Sequence, residues 1–449
     1  MRLIIAVCLC LGGPPQEQID EFVVAGGPPR FGEQPGISGN IVVWRRYSNG
    51  WPEEGKLQFR DISRMDSPVV DVVPHPASWG GVLLTPAFLY WVSPPPGEKR
   101  AIRARPTMNL ASNSQDVEVS PYGYVAAANR DFVFIRVYSW EFAPEEIKKK
   151  LFGKAIRDFG NVSMNTLIPV AEYETDIQLD RSVAASEKYL VWQDRNPDSS
   201  SDTWKIYVKE IGEVFTPGSE RLAVDTLVNA QERYNLRDLG VYLGIHDSLL
   251  VFLGAETAEP DGLVGVYLLD LEGGGKPMKI AEPDIIADGS DWLKWPAISS
   301  DYIVWTEETY TVRDGFFFQP FARRLIGGKP HGENFPISTG LTGAAWLTLD
   351  RNIAVWNGAR LVEGNFIEDS VVAAELPLPG AVDLGDADQN GRVEVTDPIF
   401  ILNYLFLGGW QPRRRPADAD ENGWVDVTDA VRILEHLFLG TGPLGAGRS

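Results

Sequence analysis

Cysteine is nearly missing from this chain. Its only two, Cys8 and Cys10, fall within the first ten residues, so the remainder offers neither a catalytic thiol nor a disulfide pair. Histidine is almost as scarce, at four residues: His75, His246, His331 and His436. Clustered positive charge is confined to Lys148–Lys150 and Arg413–Arg415 in a chain of formal net charge −21. That balance excludes nucleic acid as an expected partner, because phosphate binding needs grouped Lys and Arg. No apolar run is long enough to span a bilayer. The nucleophile elbow G-x-S-x-G, the zinc motif H-E-x-x-H and phosphate-cradling glycine loops are missing too. Gly273–Gly275 reads as a turn at a strand end.

The chain starts with Arg2 followed by L-I-I-A-V-C-L-C-L. This run suits the apolar core of a signal peptide, although an A-x-A cleavage pattern is missing. A buried first strand is the alternative. Export predicts a secreted or cell-envelope protein, with residues 1–22 as signal peptide and lead-in.

From about residue 35 to 378 one theme returns: a small or turn residue, a burst of β-branched and aromatic residues ending in an aromatic anchor, a polar turn, then a second strand. I-S-G-N-I-V-V-W ends at Trp44, T-P-A-F-L-Y-W at Trp91, A-S-E-K-Y-L-V-W at Trp192, I-S-S-D-Y-I-V-W at Trp305 and L-D-R-N-I-A-V-W at Trp356. Weaker copies end at Phe252 and around Ala127. Anchors separated by 36 to 65 residues, with several strands in each interval, predict propeller blades. Seven copies predict an all-β, seven-bladed β-propeller over 23–379, with six or eight blades also compatible. Pro144–Ile156 is expected to form a short helix between blades. The repeat resembles the TolB-like family of exported propellers, a resemblance that bears on fold and carries no catalytic residue.

Nothing in the propeller singles out catalysis. His75, His246 and His331 lie in different repeats and would have to converge at the central channel to hold a metal. The tryptophans outside the repeated burst, or at its edge, are Trp51, Trp79, Trp292, Trp295 and Trp346. Of these, Trp292 and Trp295 are the expected stacking residues for a sugar or a partner; packing between blades is the plainer reading.

The sharpest signal lies near the C-terminus. D-A-D-Q-N-G-R-V-E-V-T-D runs from Asp386 to Asp397, and D-A-D-E-N-G-W-V-D-V-T-D from Asp418 to Asp429. The two start 32 residues apart (386 and 418), and an apolar helical stretch follows each. Oxygen donors at loop positions 1, 3, 5, 9 and 12, with glycine at 6, suit a hard cation that takes six to eight oxygens; calcium is the natural occupant. Prolines and glycines before each loop forbid the entering helix of an ordinary EF-hand. Each unit is therefore a loop plus one exiting helix. Asp397 or Thr396 can cap the first helix, and Pro398 fits its first turn.

Duplicated loop–helix units ending in Asp resemble a type I dockerin over about residues 383–440, within a small all-α domain at 380–449. The resemblance implies two calcium ions. It places Asp386, Asp388, Asn390 and Asp397 as side-chain ligands in the first loop, with Arg392 giving a carbonyl and Glu394 acting directly or through water. In the second loop Asp418, Asp420, Asn422 and Asp429 take those parts, with Trp424 and Asp426 alongside. It also implies a cohesin-like partner meeting Val395, Thr396, Asn403, Val427, Thr428 and Glu435, although the basic residues often found there are missing. The leucines Leu402, Leu407, Leu434 and Leu439 serve either that surface or the module's own core.

The expected function is binding or assembly outside the cytoplasm, by a monomeric propeller with a calcium-dependent attachment module. The alternatives are a polysaccharide lyase or glycoside hydrolase delivered by the dockerin, and an envelope structural protein whose dockerin packs on its own propeller.

Overall fold

The computed structural model describes residues 20–25, 31–46, 56–64, 67–73, 82–93, 101–111, 116–137, 144, 148–161, 166–172, 183–195, 203–228, 243–255, 264–282, 292–311, 315–338, 342–362, 365–376, 384–387, 393–407, 412, 417–420, 422, 424–440 and 444. The signal-peptide reading, His75, Trp51 and Trp79 lie outside the described residues.

Seven four-stranded antiparallel sheets follow one another along the chain as the blades of a propeller. Blade 1 is β2 (Phe31–Ser38), β3 (Ile41–Arg46), β4 (Lys56–Asp61) and β5 (Val70–Val73). Blade 2 is β6 (Leu83–Leu84), β7 (Phe88–Ser93), β8 (Ala101–Pro106) and β9 (Val117–Ser120). Blade 3 is β10 (Tyr124–Ala128), β11 (Phe132–Val137), β12 (Lys150–Ala155) and β13 (Ile168–Glu172). Blade 4 is β14 (Val183–Ala185), β15 (Tyr189–Arg195), β16 (Thr203–Glu210) and β17 (Arg221–Val228). Blade 5 is β18 (Leu243–His246), β19 (Leu249–Ala255), β20 (Val264–Asp270) and β21 (Met278–Ala281). Blade 6 is β22 (Trp292–Ile298), β23 (Tyr302–Thr311), β24 (Gly315–Ile326) and β25 (Lys329–Pro336).

Blade 7 takes three strands from the end of the repeat, β26 (Thr342–Asp350), β27 (Ile353–Val362) and β28 (Asn365–Glu375), and its fourth, β1 (Asp20–Ala25), from the start of the described chain. Asp20 pairs with Glu375 and Phe22 with Ala373. The ring is thus closed by one strand from each direction of the chain, which leaves no open blade. Because β1 begins at Asp20, the propeller takes in residues that the sequence reading gave to the lead-in.

The sevenfold repeat is visible in single hydrogen bonds. In six blades the residue just after the third strand, and in blade 6 Leu325 near the end of β24, donates its N–H to a carbonyl in the turn between the first two strands. The seven are Ile62 to Asn40, Thr107 to Ala87, Ile156 to Asp131, Ile211 to Lys188, Leu271 to Ser248, Leu325 to Asp301 and Leu376 to Asn352, at 2.6–2.9 Å. Side chains in the same turns reach the next blade: Asn129 Nδ2 donates to Ser186 O, the Ser186 hydroxyl to Asp247 O, and the Ser299 hydroxyl to Arg351 O. Asp350 closes the series by accepting from Gly39 N–H.

The anchors behave as the repeat predicts. Trp44, Trp91, Trp192, Phe252, Trp305 and Trp356 all lie on second strands and are at most 3% exposed. Blade 3 is the exception. Ala127, expected to mark its anchor, lies on the innermost strand β10, and Ile135 on β11 occupies the equivalent place. The helix expected over Pro144–Ile156 is not formed by its second half, because Lys150–Ala155 is strand β12, paired along its length with β11.

Lys154 explains why that segment is a strand. Its ammonium is buried and donates to Val119 O, on the outermost strand of the preceding blade, and to Asn161 O. The same position of the third strand carries a cation in other blades. Arg60 reaches Val24 O on β1, Arg105 reaches Val72 O on β5, and Lys209 reaches Val170 O on β13. In blade 6, Arg323 reaches Asn334 Oδ1, and Asn334 Nδ2 donates to Ile280 O on β21. Each cation stitches its blade to the one before, satisfying carbonyls that the sheet edge leaves over.

After the propeller, two helices (Thr396–Leu407 and Val427–Leu439) pack on a small core of Ala387, Ile401, Ala417, Ala419, Ala430 and Ile433. Among the described residues no helix is long and apolar enough to cross a membrane.

Candidate metal centre and partner surface

The second acidic loop closes on itself. Asn422 N–H donates to Asp420 Oδ1, and Trp424 N–H to Asn422 Oδ1, so successive donor residues turn the chain back inward. Asp420 N–H and Asp426 N–H both donate to the carboxylate of Asp429. Asp426 in turn caps the second helix, accepting from Thr428 N–H, while Gly440 ends that helix in the left-handed region at φ 61°. The Thr428 hydroxyl bonds both Asp420 Oδ2 and Asp426 Oδ1.

These bonds bring Asp418, Asp420 and Asp429 together, with one carboxylate oxygen from each lying within 4.8 Å of the others. Asp429 is fully buried. Burial pushes its carboxyl up to about 7, the neighbouring charges of Asp420 and Asp418 add to the rise, and the two backbone N–H donors oppose it. Three close carboxylates around a hydrogen-bonded loop form an all-oxygen donor set that fits a hard divalent cation. With Asn422 beside them they would hold it, and the ion would supply the charge that the cluster lacks.

In the first loop, Asp388, Asn390 and Arg392 lie outside the described residues. The parts described repeat the second copy. Asp386 and Asp397 are buried, and Glu394 N–H donates to Asp397 Oδ2, as Asp426 N–H does to Asp429. Asp397 thus turns its carboxylate back to the loop, as Asp429 does in the second copy, and the Thr396 hydroxyl donates to Glu394 Oε1.

The predicted partner residues lie on the surface. Val395, Thr396, Asn403, Val427 and Thr428 are exposed, and Glu435 is half-buried. The surface is larger than those residues: beside Val395 and Val427, and Leu407 and Leu439, the pairs Ile399 and Val431 and Phe406 and Phe438 are exposed, each pair 32 residues apart. The signal was available in the sequence, since both helices carry an apolar residue at places the core does not use. Leu402 is half-buried and packs on the core cluster.

The module also meets its own propeller. Tyr404 shares a hydrogen bond with Ser63, and burial raises its phenol pKa with help from the Asp61 charge. A cavity of about 240 Å³ lies between them, lined by Phe22, Ile62, Arg351, Ile353 and Glu375 on one side and Tyr404, Leu405, Pro412, Trp424 and Val425 on the other.

At the propeller's centre all seven innermost strands line a cavity of about 280 Å³, whose walls are mostly small and apolar, with Arg136 the one charged side chain among the described residues. Neither described candidate histidine reaches it. His246 ends β18 beside Asp247, and His331 lies exposed on the outermost strand β25. Trp295, expected on a binding rim, is 5% exposed and stacks at a tilt on Trp346, with ring centroids 5.5 Å apart. Both tryptophans take left-handed backbone, at φ 50° and 60°, in matching bulges of β22 and β26. The bulge turns each ring into the core between blades. Trp292 pairs with Glu308 in the same sheet.

No protein-family model matches the chain, and no curated protein matches it. Among solved structures it is similar to the β-propeller domain of the trilobed protease from Pyrococcus furiosus, with a TM-score of 0.49 and 11% identity over 74% of this chain and 91% of that one. A puromycin hydrolase gives a TM-score of 0.46 at 12% identity, over 74% of this chain and 50% of the other. The tricorn protease gives 0.38 at 12% identity, over 77% and 31%. The trilobed protease propeller is described as having an open velcro topology. At these identities the likeness concerns the propeller fold and says nothing of activity.

Proposed function

We propose that this protein is an extracytoplasmic binding or assembly propeller, attached to a partner through a C-terminal module that folds around two calcium ions. The observation that carries the reading is the in-register pairing of exposed apolar residues on the two helices, from Val395 with Val427 to Leu407 with Leu439. Isolated exposed leucines are ordinary, but a duplicated set on two metal-loop helices suits a partner able to bury it. A cohesin-like domain is the proposed partner, with the propeller free to hold a polysaccharide or a second protein.

The convergence of Asp418, Asp420 and Asp429 supports the calcium requirement. In this reading the ion neutralises the carboxylates, and the loops then hold both helices at the angle that presents the apolar pairs. A second reading, in which the module also seats on its own propeller, is favoured by the Tyr404–Ser63 hydrogen bond.

The test is retention of the full chain on immobilised cohesin domains and on a panel of polysaccharides, in calcium and in EDTA, with released products followed by mass spectrometry. Calcium-dependent retention on a cohesin, lost on replacing Leu407 and Leu439 by Ser, is the expected result. Oligosaccharide release would replace the binding reading by an enzymatic one.

A further inference from the structure

The ring of blades has one seam, and the C-terminal module lies across it. Every other blade is built from four consecutive strands, but blade 7 is completed by β1, a six-residue strand from the opposite end of the chain. The cavity between module and propeller is walled by residues from both sides of that junction. Phe22 comes from β1, Ile353 and Glu375 come from β27 and β28, and Ile62 and Ser63 follow the third strand of blade 1. On the module side, Tyr404 comes from the first helix and Trp424 and Val425 from the second acidic loop. The same loop therefore gathers the carboxylates and forms part of the wall against the seam.

We propose that the module is a metal-dependent bolt on the closure of the propeller, in which cation binding at Asp418, Asp420 and Asp429 holds Trp424 and Val425 against the seam and Tyr404 on Ser63. The proposal rests on the calcium reading above and adds a role inside the chain. Trp424 N–H is tied to Asn422 and Asn422 to Asp420, so the position of the indole follows the shape of the donor loop. Without a cation, repulsion among three carboxylates opposes that shape, and the wall loses its rigid support. Closure by β1 is the step most exposed to such a loss. Val23 is 56% exposed, and the β1–β28 pairing breaks register between Val23 and Ala25.

The experiment uses the full chain and two independent readouts. Calorimetric titration with calcium measures binding. Hydrogen exchange of the amides in Asp20–Ala25 and Asn365–Glu375 measures closure, with and without calcium. The expected result is that calcium slows exchange in β1 by about tenfold, the scale of one or two net hydrogen bonds. Tyr404→Phe, outside both loops, should keep its calcium affinity and lose that protection. Binding with unchanged exchange in β1 would overturn the bolt and leave the calcium reading standing. Absence of binding would overturn both. Protection retained in Tyr404→Phe would also overturn the bolt, since the metal would then act without the seam contact.

Discussion

Lys209 on the third strand of blade 4 places its ammonium 3.0 Å from the carbonyl oxygen of Val170, on the outermost strand of blade 3. It also donates to Thr216 O and lies 3.2 Å from Glu220, while remaining 3% exposed. A buried cation so fully engaged acts as a cross-tie between blades, and removing it strands the carbonyls it served. Lys209→Met should destabilise the propeller by about 1–3 kcal/mol, the cost of leaving buried acceptors unmade. Lys154→Met should do the same through Val119 O and Asn161 O. Chemical denaturation followed by tryptophan fluorescence measures both; a change within 0.5 kcal/mol, the ordinary range for surface substitutions, would show that the ties are dispensable.

Trp295 and Trp346 are predicted to matter for stability and not for ligand retention. Trp295→Ala should cost about 3–5 kcal/mol, as for other large core aromatics, and should leave retention on any polysaccharide that the wild-type chain binds unchanged. Comparing thermal unfolding with column retention separates the two effects.

The two metal loops should be separable. Calcium titration of the full chain should show two ions. Asp418→Ala should remove one and leave the other, and Asp386→Ala should do the converse, because each carboxylate belongs to its own loop. Loss of both ions from either single variant would mean that the loops fold only as a pair.

Proton and cation should compete in the second loop. The Asp429 carboxyl is pushed up to about 7 from an ordinary value of 3.8, so the metal-free fold prefers it protonated. The raised value places the proton-linked stability at low pH. It is fully present below about 3.8 and lost as pH climbs towards 7. In EDTA, the unfolding midpoint of the module should therefore fall as pH rises from 4 to 7. Saturating calcium should abolish or invert that slope, because the ion needs the ionised carboxylates. Scanning calorimetry across that range reads it directly.

Most of the fold was legible because its repeat is written in aromatic anchors. Trp44, Trp91, Trp192, Phe252, Trp305 and Trp356 each stand fourth in a second strand. Blade 3 was misplaced because Ile135 stands where the others carry an aromatic, and an isoleucine is invisible in a search for tryptophan. The segment through Lys148–Lys150 reads as a helix by charge and period alone. What makes it a strand is non-local: pairing with β11 and a buried partner for Lys154 on another blade. Trp295 packs between blades, the plainer of its two sequence readings, because a left-handed bulge reverses the face that strand alternation assigns. The acidic loops were plain because ligand spacing is local, and the second copy does gather its carboxylates. The seam contacts of Tyr404 and Trp424 depend on where two distant parts of the chain meet, which no local pattern encodes.

The pairing of β1 with β28 has a consequence for how the molecule is made. A ribosome delivers Asp20–Ala25 first and its partner Asn365–Glu375 after nearly all of the other strands, so the nascent chain carries a strand with no place to go. Until the last blade emerges, that strand offers a free edge to any neighbouring chain, and the six finished blades form an open arc. Slow synthesis or early truncation should therefore produce aggregates through this strand in particular. A circularly permuted gene that starts between blades, and joins β28 to β1 by a short linker, should shorten the wait.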